Sequence, residues 1–134
     1  MGDSAKALPS AILAFSTLLV TAALWRHPLG LIALVFLVGC AIFLLRPTVS
    51  SLVVYAVGFA FGPLAEILGI HAGAWRYSAP DFLGIPIWLP FVWGNAALFI
   101  LNAGEVATTA LQSDRQRGPT GSTRAPADGE RQRV

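Results

Sequence analysis

Four long apolar runs dominate the chain and predict four helices. They cover residues 8–25, 29–45, 48–70 and 85–111. Each run is close to the roughly 20 residues that a helix needs to cross a hydrocarbon core about 30 Å thick. The link between the first two runs is only three residues long, which favours an antiparallel hairpin. The pattern therefore predicts an all-α integral membrane protein with four transmembrane helices.

The C-terminal segment has a different composition. From Gln112 onward it has no apolar periodicity and is rich in Gly, Pro, Ser, Thr and charged residues. Such a segment cannot bury enough apolar surface to fold. We therefore expect a transmembrane domain over 1–111 and a disordered cytoplasmic tail over 112–134.

The positions of lysine and arginine predict the orientation. Positive residues near the membrane tend to stay on the cytoplasmic side. On one predicted side lie Lys6, Arg46, Arg115, Arg117 and Arg124, and on the other lie Arg26 and Arg76. This indicates a multi-pass protein of the cell (inner) membrane with both termini cytoplasmic and segment 71–84 facing outward. An alternative is that the first run is a cleaved signal peptide, since Lys6 precedes it and small residues lie at 21–23.

Composition supports the membrane prediction and excludes several functions. The chain is 55% hydrophobic and 12% charged, with a mean hydropathy of +0.67, which is too apolar for a soluble domain of this size. The basic excess lies mostly in the tail, so we expect no nucleic-acid partner. A single cysteine, Cys40, allows no intrachain disulfide. No metal cluster, phosphate loop or catalytic triad is evident in the sequence, and no metal or cofactor is predicted.

The third run carries a small and polar helical face. Its members recur every three or four positions: Ser51, Tyr55, Gly58, Gly62, Glu66 and Gly69. Gly58 and Gly62 form a G-x-x-x-G pair, which lets a neighbouring helix approach closely. Pro63 is expected to kink the helix one turn before Glu66.

The fourth run has a partly matching face. It consists of Trp88, Phe91, Asn95, Leu98, Asn102 and Glu105. Asn95 is expected near the middle of the membrane, where an unpaired amide is costly and normally bonds across helices. If the two faces pack together, they form a partly polar seam between helices 3 and 4, opening outward beneath segment 71–84.

Glu66 is the strongest candidate for chemistry, because an ionisable residue inside a membrane span is by default a functional candidate. It is either a proton donor or an anchor that pairs with Arg76 or His71. The candidate substrate-binding residues around it are His71, Trp75, Arg76, Tyr77, Trp88, Trp93 and Asn95. The aromatic members also fit an ordinary interfacial belt.

Two motifs, EILGIHAGAWRY (66–77) and LGIPIWLPFVW (83–93), resemble the membrane proteins of carotenoid biosynthesis, the carotenoid hydratase and lycopene cyclase-like group. The resemblance covers about a fifth of the chain. It implies that Glu66 protonates a polyene double bond and that Trp75 and Trp88 stabilise the resulting carbocation.

Three functions remain open from the sequence. The leading hypothesis is binding of an isoprenoid or other apolar lipid at the seam, with acid-assisted modification as a further step. The second is a non-enzymatic subunit or assembly factor of a larger membrane complex, favoured by the G-x-x-x-G face. The third is a small, oligomeric, proton-coupled transporter that uses Glu66.

Overall fold

The computed structural model describes residues 4–116, which form four helices. These are α1 (Ser4–Leu24), α2 (Pro28–Leu45), α3 (Val49–His71) and α4 (Leu89–Gln116). No strand forms within residues 4–116, where extended pairing is limited to an isolated bridge between Phe82 and Ile85. The all-α prediction is confirmed for this part of the chain.

The fourth helix begins and ends later than the sequence predicted. Residues 85–88 form a turn, in which the carboxylate of Asp81 accepts the backbone N–H of Ile87 at 3.0 Å. Leu83 and Gly84 both have positive φ angles, of 49° and 86°, so the helix cannot extend back through them. At its other end α4 continues through Gln116, beyond the last residue of the apolar run, since helix formation does not require apolar side chains. The remainder of the predicted tail lies outside the described residues.

The helices are arranged up and down, and α4 contacts each of the other three. The α1–α2 turn and segment 72–88 share one end of the bundle, because Trp25 and Tyr77 line the same cavity there. We call this the loop end. At the opposite end, Arg46 forms an ion pair with Glu105 of α4. α2 and α3 are neighbours in the chain but hardly touch one another. The result is a cleft between them.

Polar side chains on α1 and α4 pair inside the bundle. Asn95 donates from Nδ2 to the carbonyl oxygen of Val35 at 2.9 Å and to Thr17 Oγ1 at 3.2 Å. Asn102 donates from Nδ2 to Ser10 Oγ at 3.1 Å. All four side-chain partners are buried. These bonds fix the register of α1 against α4.

The outer surface of the bundle is strongly apolar. Large hydrophobic side chains are exposed along every helix, among them Phe15, Leu37, Val57, Phe61 and Ile100. Two helices, α2 and α3, are long and apolar enough to cross a membrane, and Leu8–Leu24 is a shorter apolar helix. Only 22% of the α2 window and 11% of the α3 window are buried, whereas the core helix of a soluble domain would be mostly buried. These two helices indicate membrane association.

Candidate functional site

The contact between α3 and α4 is closely packed. A Cβ atom at Gly62 would collide with the indole ring of Trp93, and one at Gly58 would collide with the Trp93 backbone. On the facing side, the ring of Tyr55 fills the space beside Gly94. The glycine face predicted for α3 is therefore a packing surface.

The residues of α4 that meet this glycine face are Trp93, Gly94 and Ala97. Asn95 and Asn102 of the predicted α4 face bond to α1 and α2 instead, so the two predicted faces do not form a polar seam.

Glu66 lies at the loop end and is bonded to an aromatic side chain. The indole Nε1 of Trp75 donates to Glu66 Oε2 at 2.9 Å. Gly73, with φ of +77°, turns the chain so that the Trp75 ring folds back over Gly69. A side chain at Gly69 would displace this ring.

The pairing of Glu66 with Arg76 or His71, one of the two roles that the sequence left open, does not form within the described residues. The ion pair found in the described part of the chain joins Arg46 to Glu105, so Glu66 takes part in no ion pair there. His71 and Arg76 are both exposed to the surroundings. Trp75 therefore has the anchoring role that the sequence assigned to a cation, because its N–H is the donor that the turn at Gly73 directs towards the carboxylate.

Tyr77 is half-buried between Glu66 and Trp88. Its ring meets that of Trp88 edge to face, with centroids 6.4 Å apart and planes at 89°. Burial, and to a smaller extent the nearby Glu66, raises the pKa of the Tyr77 phenol to about 12. The phenol is therefore neutral at physiological pH and available as a hydrogen-bond donor.

Removing the charge of Glu66 is expected to lower the pKa of Tyr77. In Glu66→Gln the pKa should fall below about 12 but stay above the ordinary value of 10.0, because burial remains. The raised pKa stabilises the fold below pH 10.0, and this stability is lost as the pH rises through about 12. Tyrosinate absorbance during an alkaline titration, in a Tyr55→Phe background, measures this pKa.

Glu105→Gln is the matched control for that titration, since Glu105 lies at the opposite end of the bundle. It should leave the pKa of Tyr77 unchanged. An unchanged pKa in Glu66→Gln would contradict the electrostatic contact between Glu66 and Tyr77.

The cleft between α2 and α3 is the largest of the cavities described here, with a volume of about 310 Å³. Its lining consists of Phe36, Gly39, Cys40, Phe43 and Leu44 from α2, Leu52 and Tyr55 from α3, and Leu98 from α4. Tyr55 and Leu98 also belong to the two faces that the sequence identified. The α2 residues were missed because their apolar pattern is the same as that of a lipid-facing helix surface.

The remaining predicted site residues have packing roles. Trp93 packs against Gly58 and Gly62, and Asn95 joins α4 to α1 and α2. The Oδ1 atom of Asn95 is buried against Gly39 without a hydrogen-bond partner. Trp88 is buried in the apolar core with Leu31 and Val35.

No cluster of three metal-ligating side chains is found over residues 4–116. The described part of the chain places a carboxyl group at Glu66 and a phenol at Tyr77 at the loop end, and an apolar cleft between α2 and α3.

No known protein family, curated protein or solved structure gives a match to this chain. The described residues form an all-helical bundle with an apolar exterior and a side cleft.

Proposed function

We propose that this chain is a four-span integral membrane protein that binds an isoprenoid or another apolar lipid in the cleft between α2 and α3. One observation carries the proposal: the cleft holds about 310 Å³ of space, and its lining residues are almost entirely apolar. It opens on the apolar outer surface of the bundle, where the acyl chains of a bilayer would lie. An apolar ligand could enter sideways without crossing water.

The four-span arrangement is supported by the polar pairs between α1 and α4. A polar side chain inside a bilayer needs a partner on a neighbouring helix, and the amides of Asn95 and Asn102 bond to Thr17 and Ser10. We propose that both termini are cytoplasmic and that the loop end faces outward. Alkaline phosphatase fused after Ser78 should then be active, whereas fusion after Ser113 should be inactive. The reverse activities would contradict this orientation.

The size of the cleft favours part of a long apolar chain as ligand. Its volume is at the lower end of the roughly 300–1,000 Å³ common for small-molecule sites. Phe36, Phe43 and Tyr55 offer aromatic surface to a branched or unsaturated chain. The resemblance proposed for residues 66–93 would make this ligand chain an isoprenoid.

The position of Glu66 favours lipid binding without acid-assisted modification of the lipid. It is eleven residues beyond Tyr55 on the same helix, or roughly 16 Å at 1.5 Å per residue. Only a ligand that extends well beyond the cleft would reach it. Since the carboxylate already accepts the indole N–H of Trp75, we assign Glu66 to anchoring of segment 72–88.

Filling the cleft is expected to remove the lipid. Leu44 and Leu52 line the cleft and are themselves exposed, so tryptophan is tolerated there and occupies the ligand's space. In Leu44→Trp and Leu52→Trp the isoprenoid that copurifies with the protein should fall about tenfold, equal to roughly 1.4 kcal/mol of binding. Mass spectrometry of lipid extracts measures the ratio of lipid to protein.

Leu37→Trp is the matched control, since Leu37 is an exposed residue of α2 that does not line the cleft. It should keep the lipid. Equal losses in Leu37→Trp and Leu44→Trp would contradict binding in the cleft. If extraction instead yields a defined larger assembly without lipid, the chain is a membrane subunit. Glu66-dependent uptake into vesicles would identify a proton-coupled transporter.

A further inference from the structure

A second cavity, at the loop end, is lined by three aromatic rings. It has a volume of about 250 Å³ and lies between the last turns of α1 and segment 77–88. The three rings are Trp25, Tyr77 and Trp88, and the rest of the lining is Thr21, Ala22, Ser78, Ala79 and Pro86. The cavity is smaller than the roughly 300 Å³ at which drug-sized sites begin. It therefore suits a small chemical group rather than a lipid chain.

The rings are held as a preformed wall. Trp88 is 8% exposed and packs with Leu31 and Val35 in the core, whereas the tryptophans of an interfacial belt lie at the surface among headgroups. Tyr77 stands at 89° to Trp88, so the two rings form a corner. A ligand that enters this corner does not have to order the side chains that bind it.

A cationic side chain lies beside this aromatic cavity. The guanidinium of Arg26 is 4.7 Å from the centroid of the Trp25 ring, and that ring lines the cavity. The aromatic faces of the cavity attract cations that cannot donate hydrogen bonds. A zwitterion with a quaternary ammonium group and a neighbouring anion therefore complements both the rings and Arg26.

We infer that the loop-end cavity binds a phosphocholine group, with the quaternary ammonium against Tyr77 and Trp88 and the phosphate beside Arg26. This site goes beyond the proposed apolar lipid site, because the two cavities share no lining residue. Arginine suits the phosphate because its guanidinium is planar and always charged.

Calorimetric titration of the full chain in a maltoside detergent tests the ligand chemistry. The probes are phosphocholine, choline and dimethylbutanol, the uncharged isostere of choline in which carbon replaces nitrogen. We expect phosphocholine to bind more tightly than choline, and dimethylbutanol to bind at least about tenfold more weakly than choline. Equal binding of choline and dimethylbutanol, or no binding of either choline compound, would overturn the inference.

Variants test the two halves of the site. Tyr77→Leu should weaken choline binding about fivefold, whereas Phe82→Leu, at an exposed residue of the same segment that does not line the cavity, should leave it unchanged. Arg26→Gln should weaken phosphocholine but not choline. Equal losses in Tyr77→Leu and Phe82→Leu would overturn the site. The helix content of each variant, measured by circular dichroism, shows whether it is folded. If a variant unfolds, the relative affinities of the unmodified chain for phosphocholine, choline and dimethylbutanol test the inference.

Two further comparisons identify the source of the group and separate the two proposals. Tighter binding of a short-chain phosphatidylcholine than of phosphocholine indicates a lipid headgroup, and equal binding indicates a soluble ligand. Either result supports the site, provided phosphatidylglycerol binds more weakly. Leu44→Trp should retain phosphocholine binding, so failure of the cleft proposal and failure of this one are distinguishable.

Discussion

Replacing Gly62 with leucine is expected to separate α3 from α4 along their shared contact. Any side chain at this position meets the Trp93 ring, and the backbone on both sides is helical. Overpacking of a close contact costs about 1–3 kcal/mol and sometimes more. Because leucine adds four carbons where not even one fits, we expect a loss of about 3 kcal/mol. Unfolding by SDS, followed by circular dichroism, measures it.

Gly104→Leu serves as the control for this substitution. Gly104 lies in α4 and nothing approaches its Cβ position within 4 Å. Leucine there should be neutral or stabilising by up to about 1 kcal/mol, because it favours the helix more than glycine does. Equal stability of Gly62→Leu and Gly104→Leu would contradict the packing of α3 on Trp93.

Replacing Trp88 with alanine is expected to cost about 3–5 kcal/mol, the range for truncating a buried aromatic residue. Trp88 is 8% exposed and belongs to the cluster of Leu31, Val35, Ile85 and Leu89, so its loss leaves a cavity where α2 meets the start of α4. The same SDS titration measures the change.

Trp75→Ala removes a ring of the same size from the same end of the molecule. Trp75 is 50% exposed, so we expect its loss to cost less than a third of the Trp88→Ala effect. If the two substitutions destabilise the protein equally, Trp88 is not a core residue.

The presence of four helices could be predicted from the sequence because apolar runs of this length leave few alternatives to a helix. The residue at which α4 begins could not be predicted. Residues 85–88 are as apolar as the helix that follows, and the features that hold them in a turn are the Asp81 contact and the positive φ of Leu83. Neither feature is visible in a hydrophobicity pattern.

The glycine face of α3 was predictable because its spacing is local. The ring that fills each gap was not, since Trp93 and Tyr55 reach Gly62 and Gly94 only in one register of the two helices. The partner of Glu66 was missed for a similar reason. Trp75, Arg76 and His71 are all near it in sequence, and the turn at Gly73 decides which of them points back.

The cleft was the least predictable feature. It exists because α2 and α3, joined by three residues, diverge while both pack on α4. The sequence indicated a seam between helices 3 and 4 instead, because polar residues recur on one face of each. On α4 those residues turn towards α1 and α2, where Asn95 and Asn102 are bonded. The space for a ligand is lined by residues without any polar signal.

Photolabelling with an isoprenoid that carries a benzophenone tests the central claim most directly. The protein is labelled in its membrane, digested, and the modified peptides are identified by mass spectrometry. If the lipid binds in the cleft, the labels are concentrated on residues 36–44 and 52–55. This labelling is lost in Leu44→Trp, and an excess of unlabelled isoprenoid reduces it. Labels spread over Val57, Phe61 and other exposed apolar residues, without competition, would contradict a lipid site in the cleft.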